Sequence, residues 1–308
     1  VVLALGVQRM ARHQAIVKKL SSVETLGSAS VICSDKTGTL TKNEMTIQKV
    51  VTGSGEADLT GIGYRPEGEV RVGRRPLGDG DGDAVLVDEL QFVLGGGSLA
   101  NDAVLQREDG DWTVQGDPTE AAFLVAEMKL GITEARRARF ERVGEIPFTS
   151  DRKLMSTLEA DAESGGRVAV VTKGAPDVLL ARCTHERVAG EIRPLTDTRR
   201  AEVLGDVDRL AADALRTLAV AYRPLPDSSA GPGADGRPTG ATDELEALEH
   251  ELVYLGVAGI IDPPRPEART AIDEARAAGI RIIMITGDHP RTAARIAADL
   301  GIVAPGAP

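Results

Sequence analysis

The chain has 308 residues, 42% hydrophobic and 27% charged, enough for two domains with separate apolar cores. Its net charge of −11 argues against a nucleic-acid binder, for which a basic face is needed, so no nucleic-acid partner is expected. Four His and two Cys, scattered along the chain, do not make a zinc site, and Cys33 and Cys183 are expected as free thiols in a reducing compartment.

An apolar run over residues 1–7 is stopped by Gln8 and Arg9. Arg9, Arg12, Lys18 and Lys19 then follow, as positive residues do on the cytoplasmic side of a membrane helix. An ordinary amphipathic helix fits the same residues, whereas a signal peptide would carry its charges before the apolar run. The sequence starts on Val in mid-run and reads as a piece of something longer. No segment approaches the roughly 20 consecutive apolar residues of a full span.

Ser30-Val31-Ile32-Cys33-Ser34 predicts a buried parallel strand. It leads into Asp35-Lys36-Thr37-Gly38-Thr39-Leu40-Thr41. An aspartate at the carboxyl end of such a strand points into the crevice where α/β sheets bind ligands. Lys36 adds positive charge, Gly38 lets the backbone approach an anion, and Thr37 and Thr39 add hydroxyls. The set describes a carboxylate nucleophile facing a phosphoryl group, against the plainer reading of a strand ending in a polar turn.

From 53 to 83, glycine and acidic residues predict a flexible stretch. Within it Asp79, Asp81 and Asp83 have the spacing of a calcium loop. Ala84 and Leu90 stand where that loop needs Gly and Glu, so a solvated acidic loop is expected instead. Short alternating segments such as 167–172, mixed with a few helices, predict an antiparallel α+β domain. A second flexible stretch is predicted over 227–243, rich in Gly, Pro, Ser and Asp. A helix over 271–278 closed by Gly279, a strand over 280–285, the tip Thr286-Gly287-Asp288 and a helix over about 291–300 closed by Gly301 repeat the order of the first block. The hydroxyl and amides of that tip suit a phosphoryl group, although such a tripeptide alone is an ordinary helix cap. The two end blocks read as one parallel-stranded domain with the middle inserted.

The heptad DKTGTLT at 35–41 resembles the phosphorylation motif of the P-type ATPases, ion pumps that pass through an aspartyl-phosphate. Ser22-Val23-Glu24-Thr25-Leu26-Gly27 with Val31-Ile32-Cys33-Ser34 is similar to their calcium-pump branch, and Thr286-Gly287-Asp288 resembles their matching loop. The resemblance implies an α/β fold: an incomplete haloacid-dehalogenase-like (Rossmann-like) phosphorylation domain at 28–44 and 262–308. An α+β antiparallel-sheet nucleotide-binding domain is inserted at 45–261, and 1–27 would be the end of a membrane helix and its stalk. It further implies that Asp35 attacks the γ-phosphate of ATP. Mg2+ would be held by Asp35 and the Thr37 carbonyl, and Lys36, Thr39, Thr286, Gly287 and Asp288 would place the phosphoryl group.

Thr37 stands where phosphatases of the wider superfamily carry a second aspartate. A threonine cannot serve as acid or base near neutral pH, so a longer-lived acyl phosphate is expected. A soluble phosphatase and an ATP-binding module without turnover are the alternatives.

In the insert, Gly116-Asp117-Pro118-Thr119-Glu120 resembles the family segment whose glutamate faces the adenine amino group. Pro147-Phe148-Thr149-Ser150-Asp151-Arg152-Lys153 places Phe148 where the family stacks adenine, with Lys153 in the same pocket. Lys173-Gly174-Ala175-Pro176 matches a loop whose lysine lines that pocket, and Leu215-Arg216-Thr217-Leu218-Ala219 puts Arg216 near the phosphates. Taken singly, Phe148 fits a core position, Lys173 a surface turn, Glu120 a helix N-terminal charge and Arg216 a solvated face; their joint order carries the functional reading. Ser150 and Asp177 depart from the animal calcium pumps, which have arginine and glutamate there. Asn43-Glu44-Met45-Thr46 and Asp262-Pro263-Pro264-Arg265 resemble the outgoing and returning hinges, the paired prolines confining motion to a few bonds. A second catalytic lysine, further magnesium ligands and the membrane helices holding the transported cation would lie outside 1–308. The intact protein would be a multi-pass membrane protein with this region facing the cytoplasm.

Overall fold

The computed structural model describes residues 2–19, 21–80, 82–226, 246–287 and 290–304. They divide into two compact units, Val1–Thr41 with Pro264–Pro308, and Lys42–Pro263. The predicted flexible stretch at 227–243 lies outside the described residues, as do Asp81 and Asp288.

The first unit opens with α1 (Val2–Arg12), α2 (Ser21–Gly27) and β1 (Val31–Asp35). The second contains β2 (Thr46–Thr52), β3 (Glu56–Leu59), β4 (Val70–Val72), β5 (Arg75–Pro76), α3 (Asp83–Leu99), β6 (Val104–Glu108), β7 (Asp111–Gln115), α4 (Pro118–Leu130) and α5 (Thr133–Arg139). It continues through β8 (Phe140–Ile146), β9 (Leu154–Asp161), β10 (Arg167–Gly174), α6 (Pro176–Arg182), β11 (Cys183–Val188), β12 (Glu191–Pro194), α7 (Asp197–Ala212), β13 (Arg216–Pro224) and β14 (Leu252–Ile261). The chain then returns to the first unit with the helix Pro266–Ala277, β15 (Arg281–Ile285) and the helix Pro290–Asp299. Among the described residues no helix is long and apolar enough to cross a membrane.

An antiparallel sheet in the order β5-β4-β3-β2-β14-β13-β10-β9-β8 organises the second unit, and β11 joins β14 in parallel. Both faces are covered, and the period of two along a strand shows how. On β13, Val220 joins a core with Leu90, Val93 and Leu94 of α3 and Phe123 of α4. Its neighbours Ala219 and Ala221 point to the opposite core with Leu179 and Leu180 of α6 and Val203 of α7. Every residue of β14 is buried, which matches its nearly continuous apolar run.

The stretch 53–83 departs from expectation, since it forms β3, β4 and β5. Gly61, Gly63, Gly68, Gly73 and Gly78 all have positive φ and serve as turn points between short strands. At Gly68, with φ +127°, a Cβ would meet the Thr60 carbonyl oxygen at 2.2 Å. Glycine content that reads as flexibility here marks tight turns.

In the first unit β1 pairs in parallel with β15, Val31 opposite Arg281 and Asp35 opposite Ile285. The expectation of a buried strand is not met: Val31 is 44% exposed and Ile285 56%. The reason is topological, since the sheet formed by the described residues has two strands and leaves apolar faces uncovered. Around it, Ala268 and Ile272 of one helix and Ile296, Ala297 and Leu300 at the end of the other are buried. Arg269 Nη1 donates to the Asp299 carbonyl at 2.7 Å and Arg276 Nη2 to the Ile302 carbonyl at 2.8 Å, satisfying carbonyls at the end of the last helix.

Candidate functional sites

In the first unit Asp35 ends β1 in extended conformation, and its exposed carboxylate does not cap the loop that follows. The turn over 36–41 closes through the Thr41 N–H, which donates to the Lys36 carbonyl at 3.0 Å. Thr41 Oγ1 donates to the same carbonyl at 3.0 Å and accepts from the Gly38 N–H at 3.3 Å. Gly38 has φ +72°, a conformation that favours glycine. Thr37 and Thr39 are exposed, whereas Lys36 is buried.

Arg265, just past the returning prolines, fastens this turn. Its N–H donates to the Leu40 carbonyl at 2.9 Å, Nε to the Thr41 carbonyl at 3.0 Å and Nη2 to the Gly38 carbonyl at 3.3 Å. Arg265, expected as part of the returning hinge, thus also holds the turn, a role that no local pattern in the sequence signals. Thr286 follows the residue paired with Asp35, so β-sheet register brings Thr286 and Gly287 to the same strand end as Asp35. A Cβ at Gly287 would meet nothing within 4 Å.

In the second unit the ends of β10 and β14 and the starts of β2, β9 and β13 lie at one end of the sheet, because Gly174 pairs with Leu154 and Ala219, Arg216 with Ile260, and Ile261 with Thr46. Lys173 is buried there at 5% exposure, and its ammonium lies 2.8 Å from Glu120 Oε1 and 5.8 Å from the Phe123 ring centre. Burial pushes the Lys173 pKa down, opposed by Glu120 and by the charges of Asp102 and Asp117. Glu120 sits in the first turn of α4, whose N-cap is Asp117, with Oδ1 accepting from the Thr119 N–H at 2.6 Å. Glu120 Oε2 accepts from the Asp102 N–H at 3.0 Å, and Asn101 Nδ2 donates to the Glu120 carbonyl at 2.7 Å. The helix N-terminus and the strand end thus hold an acid and a base face to face.

The loop 147–153 enters at the same sheet end. Lys153 has φ +55°, its N–H donates to the Thr149 carbonyl at 2.8 Å, and its own carbonyl accepts from the Ala175 N–H at 3.1 Å. A Cβ at Gly174 would meet that Lys153 carbonyl oxygen at 2.3 Å, so glycine is required for the two loops to touch. Phe148 is 57% exposed, and Arg216, the first residue of β13, is exposed too. Of the sequence-predicted pocket residues, a direct contact joins Glu120 and Lys173. Phe148, Lys153 and Arg216 share their sheet end without a hydrogen bond or ion pair to that couple among the described residues.

The family described as "P-type ATPase, cytoplasmic domain N" matches residues 89–267 of this chain. The chain is 41% identical over 304 residues to the "Calcium-transporting ATPase" of Bacillus subtilis (strain 168), covering 98% of the chain and 32% of that protein. It is 41% identical over 311 residues to the "Cation-transporting ATPase pma1" of Synechocystis, covering 99% of the chain and 32% of the relative. Over 310 residues it is 39% identical to the "Probable cation-transporting ATPase F" of Mycobacterium tuberculosis (strain ATCC 25618 / H37Rv), covering 98% and 31%. The chain spans about a third of the length of the curated relatives it matches.

Proposed function

Because this chain belongs to the P-type ATPases and carries their cytoplasmic domain N, we propose that its second unit binds ATP and that Asp35 accepts the γ-phosphoryl group, within a longer cation pump. The observation that carries the nucleotide reading is the buried Lys173–Glu120 pair at the sheet end, beside a loop that leaves Phe148 exposed. A buried ammonium has three donors, and a carboxylate beside it satisfies part of that capacity, so room for a further acceptor remains. Glu120 offers the complementary acceptor for an adenine amino group. Phe148, largely uncovered, offers a ring face to a base. Arg216 and Lys153 supply positive charge for the polyphosphate.

In the first unit Asp35 is the nucleophile: a carboxylate oxygen attacks the γ-phosphorus, the bond to the β–γ bridging oxygen breaks, and ADP leaves with that electron pair. Thr39, Thr286 and Gly287 offer hydroxyls and an amide to the transferred group, and Lys36 adds positive charge. Arg265 keeps the Gly38 turn in the shape that presents them. Thr37 supplies no acid or base, so the acyl phosphate on Asp35 outlives that of a phosphatase. The exposed Asp35 carboxylate and the Thr37 carbonyl oxygen are hard oxygen donors that fit Mg2+, and Mg2+ when bound neutralises phosphate charge. Asp288, proposed for the same site, lies outside the described residues.

The domain assignment follows: the first unit as phosphorylation domain with the membrane-proximal segment at its start, the second as nucleotide-binding domain, both on the cytoplasmic face. Arg9 and Arg12 in the last turn of α1 support that orientation. Titration of the 308-residue chain with a fluorescent ATP analogue tests the pocket. Binding saturates, and Phe148→Ala weakens it about tenfold, in keeping with base stacking worth about 1–3 kcal/mol. Unchanged affinity in that variant removes Phe148 from the pocket.

A further inference from the structure

Glu249 belongs to none of the motifs above, yet its side chain is fully buried and takes three hydrogen bonds. Oε1 accepts from the Arg152 guanidinium and from Ser156 Oγ, the latter at 2.6 Å, and Oε2 accepts from Arg182 Nη1 at 2.6 Å. Ser156 Oγ lies 2.8 Å from Thr172 Oγ1, on the residue before Lys173. Arg152 also reaches the other way. Its Nη1 donates to the Pro147 carbonyl at 2.9 Å, and its N–H donates to Thr149 Oγ1 at 3.3 Å.

The loop 147–153 has little else to fix its tip. Phe148 is 57% exposed, so packing does not set its position. The backbone bonds of Lys153 hold the end of the loop nearest β9. Beyond the buried end of β8 at Ile146, the Arg152 guanidinium holds the Pro147 carbonyl, next to Phe148, and it is itself largely buried. A buried guanidinium keeps one geometry only if its partner is a charged acceptor.

We propose that Glu249 is a positioning residue for nucleotide binding: by orienting Arg152 it sets the loop that presents Phe148 to the base. This rests on the reading of Phe148 as the stacking residue. Through Ser156 and Thr172 the same carboxylate is also tied into the strands β9 and β10, which fixes its own position. Glu249→Gln is a severe change despite its size. An amide keeps one acceptor oxygen and sets an NH2 where the other oxygen stood, so one of the two guanidiniums faces a donor. Arg152 would then keep only the partly exposed Glu246 carboxylate, 3.4 Å from its Nε, as a charged partner.

The test is a double-mutant cycle on the 308-residue chain, read by affinity for a fluorescent ATP analogue, with circular dichroism and thermal unfolding confirming that each variant is folded. Phe148→Ala and Glu249→Gln each weaken binding about fivefold or more. In the double variant the loss exceeds that of Phe148→Ala by less than about twofold, because Glu249 acts through Phe148. Where Glu249→Gln does not fold, Arg152→Lys enters the same cycle, since an ammonium cannot span both the Pro147 carbonyl and Glu249. Unchanged affinity in folded Glu249→Gln overturns the inference while leaving the pocket intact. Fully additive losses overturn it too, because they mark a general effect on the fold. Unchanged affinity in Phe148→Ala refutes the stacking reading itself, and the inference with it.

Discussion

Asp161, at the end of β9, accepts from Arg139 Nε at 2.9 Å and Nη2 at 2.7 Å, a paired arrangement across the edge of the sheet. The Arg139 guanidinium holds this carboxyl below its ordinary range, helped by Ser164 and the Glu163 N–H and opposed by burial. A carboxyl whose folded pKa is depressed binds its proton more weakly in the folded state. Its contribution is therefore full above the unfolded value near 4 and is lost as pH falls through the depressed folded value. We predict that Asp161→Asn costs about 1 kcal/mol near neutral pH and removes part of the acid-limb slope, checked by urea unfolding between pH 3 and 7. An equal cost at both ends of that range would show that the pair does not report protonation. The residue scale also marks a limit of sequence reading. Lys173 and Glu120 were legible because each sits in a recognisable segment, and the fold brings them to 2.8 Å. Glu249 was not, because it meets Arg152 across 97 positions with no local pattern to announce it. A charge that is buried by the fold looks like any other charge in the chain.

At the scale of elements, α3 carries Gly95-Gly96-Gly97 near its C-terminal end, still inside the helix, where glycine is intrinsically unfavourable. Close packing is the reason. A Cβ on Gly97 would lie 2.1 Å from Phe123 Cδ1, and Phe123 is fully buried in α4. The gain of about 1 kcal/mol in helix propensity is outweighed by overpacking worth typically about 1–3 kcal/mol, because the ring must move by more than 1 Å against a filled core. Gly97→Ala should therefore lower stability, by up to about 2 kcal/mol, in urea unfolding. A stabilised variant would mean that Phe123 shifts freely. Phe123 also lies under the Lys173 ammonium, so this spacing bears on the pocket floor. Two elements were misread for related reasons. Glycine along 53–83 signalled flexibility, whereas positive φ at the turns makes it the residue that allows short strands to reverse. The apolar residues of β1 signalled burial, but burial depends on what stacks against a strand, and here its apolar residues stay exposed. The ends of the last two helices were legible almost to the residue, since Gly279 and Gly301 take the positive φ that closes a helix, whereas the first of them starts at Pro266, five residues before the expected 271.

At the scale of the molecule, the interrupted order of the sequence became an interrupted unit: β1 pairs in parallel with β15, whose partner residues lie some 250 positions away in the sequence. That non-local pairing was readable because both blocks repeat strand, polar tip and helix start, and because the region between them alternates in character. The order of strands within the inserted sheet was not readable, because antiparallel strands of similar length and polarity can pair in many sequences. The membership in the P-type ATPases rests on the match over 89–267 and on relatives about three times as long. The phosphoryl chemistry proposed for Asp35 is where the account is most exposed. The decisive measurement is acid-quenched labelling of the full-length protein carrying this chain with γ-labelled ATP and Mg2+, followed by hydroxylamine. The account predicts hydroxylamine-sensitive label in the native protein and none in Asp35→Asn, since an amide is a poor nucleophile. Label that survives Asp35→Asn would contradict it.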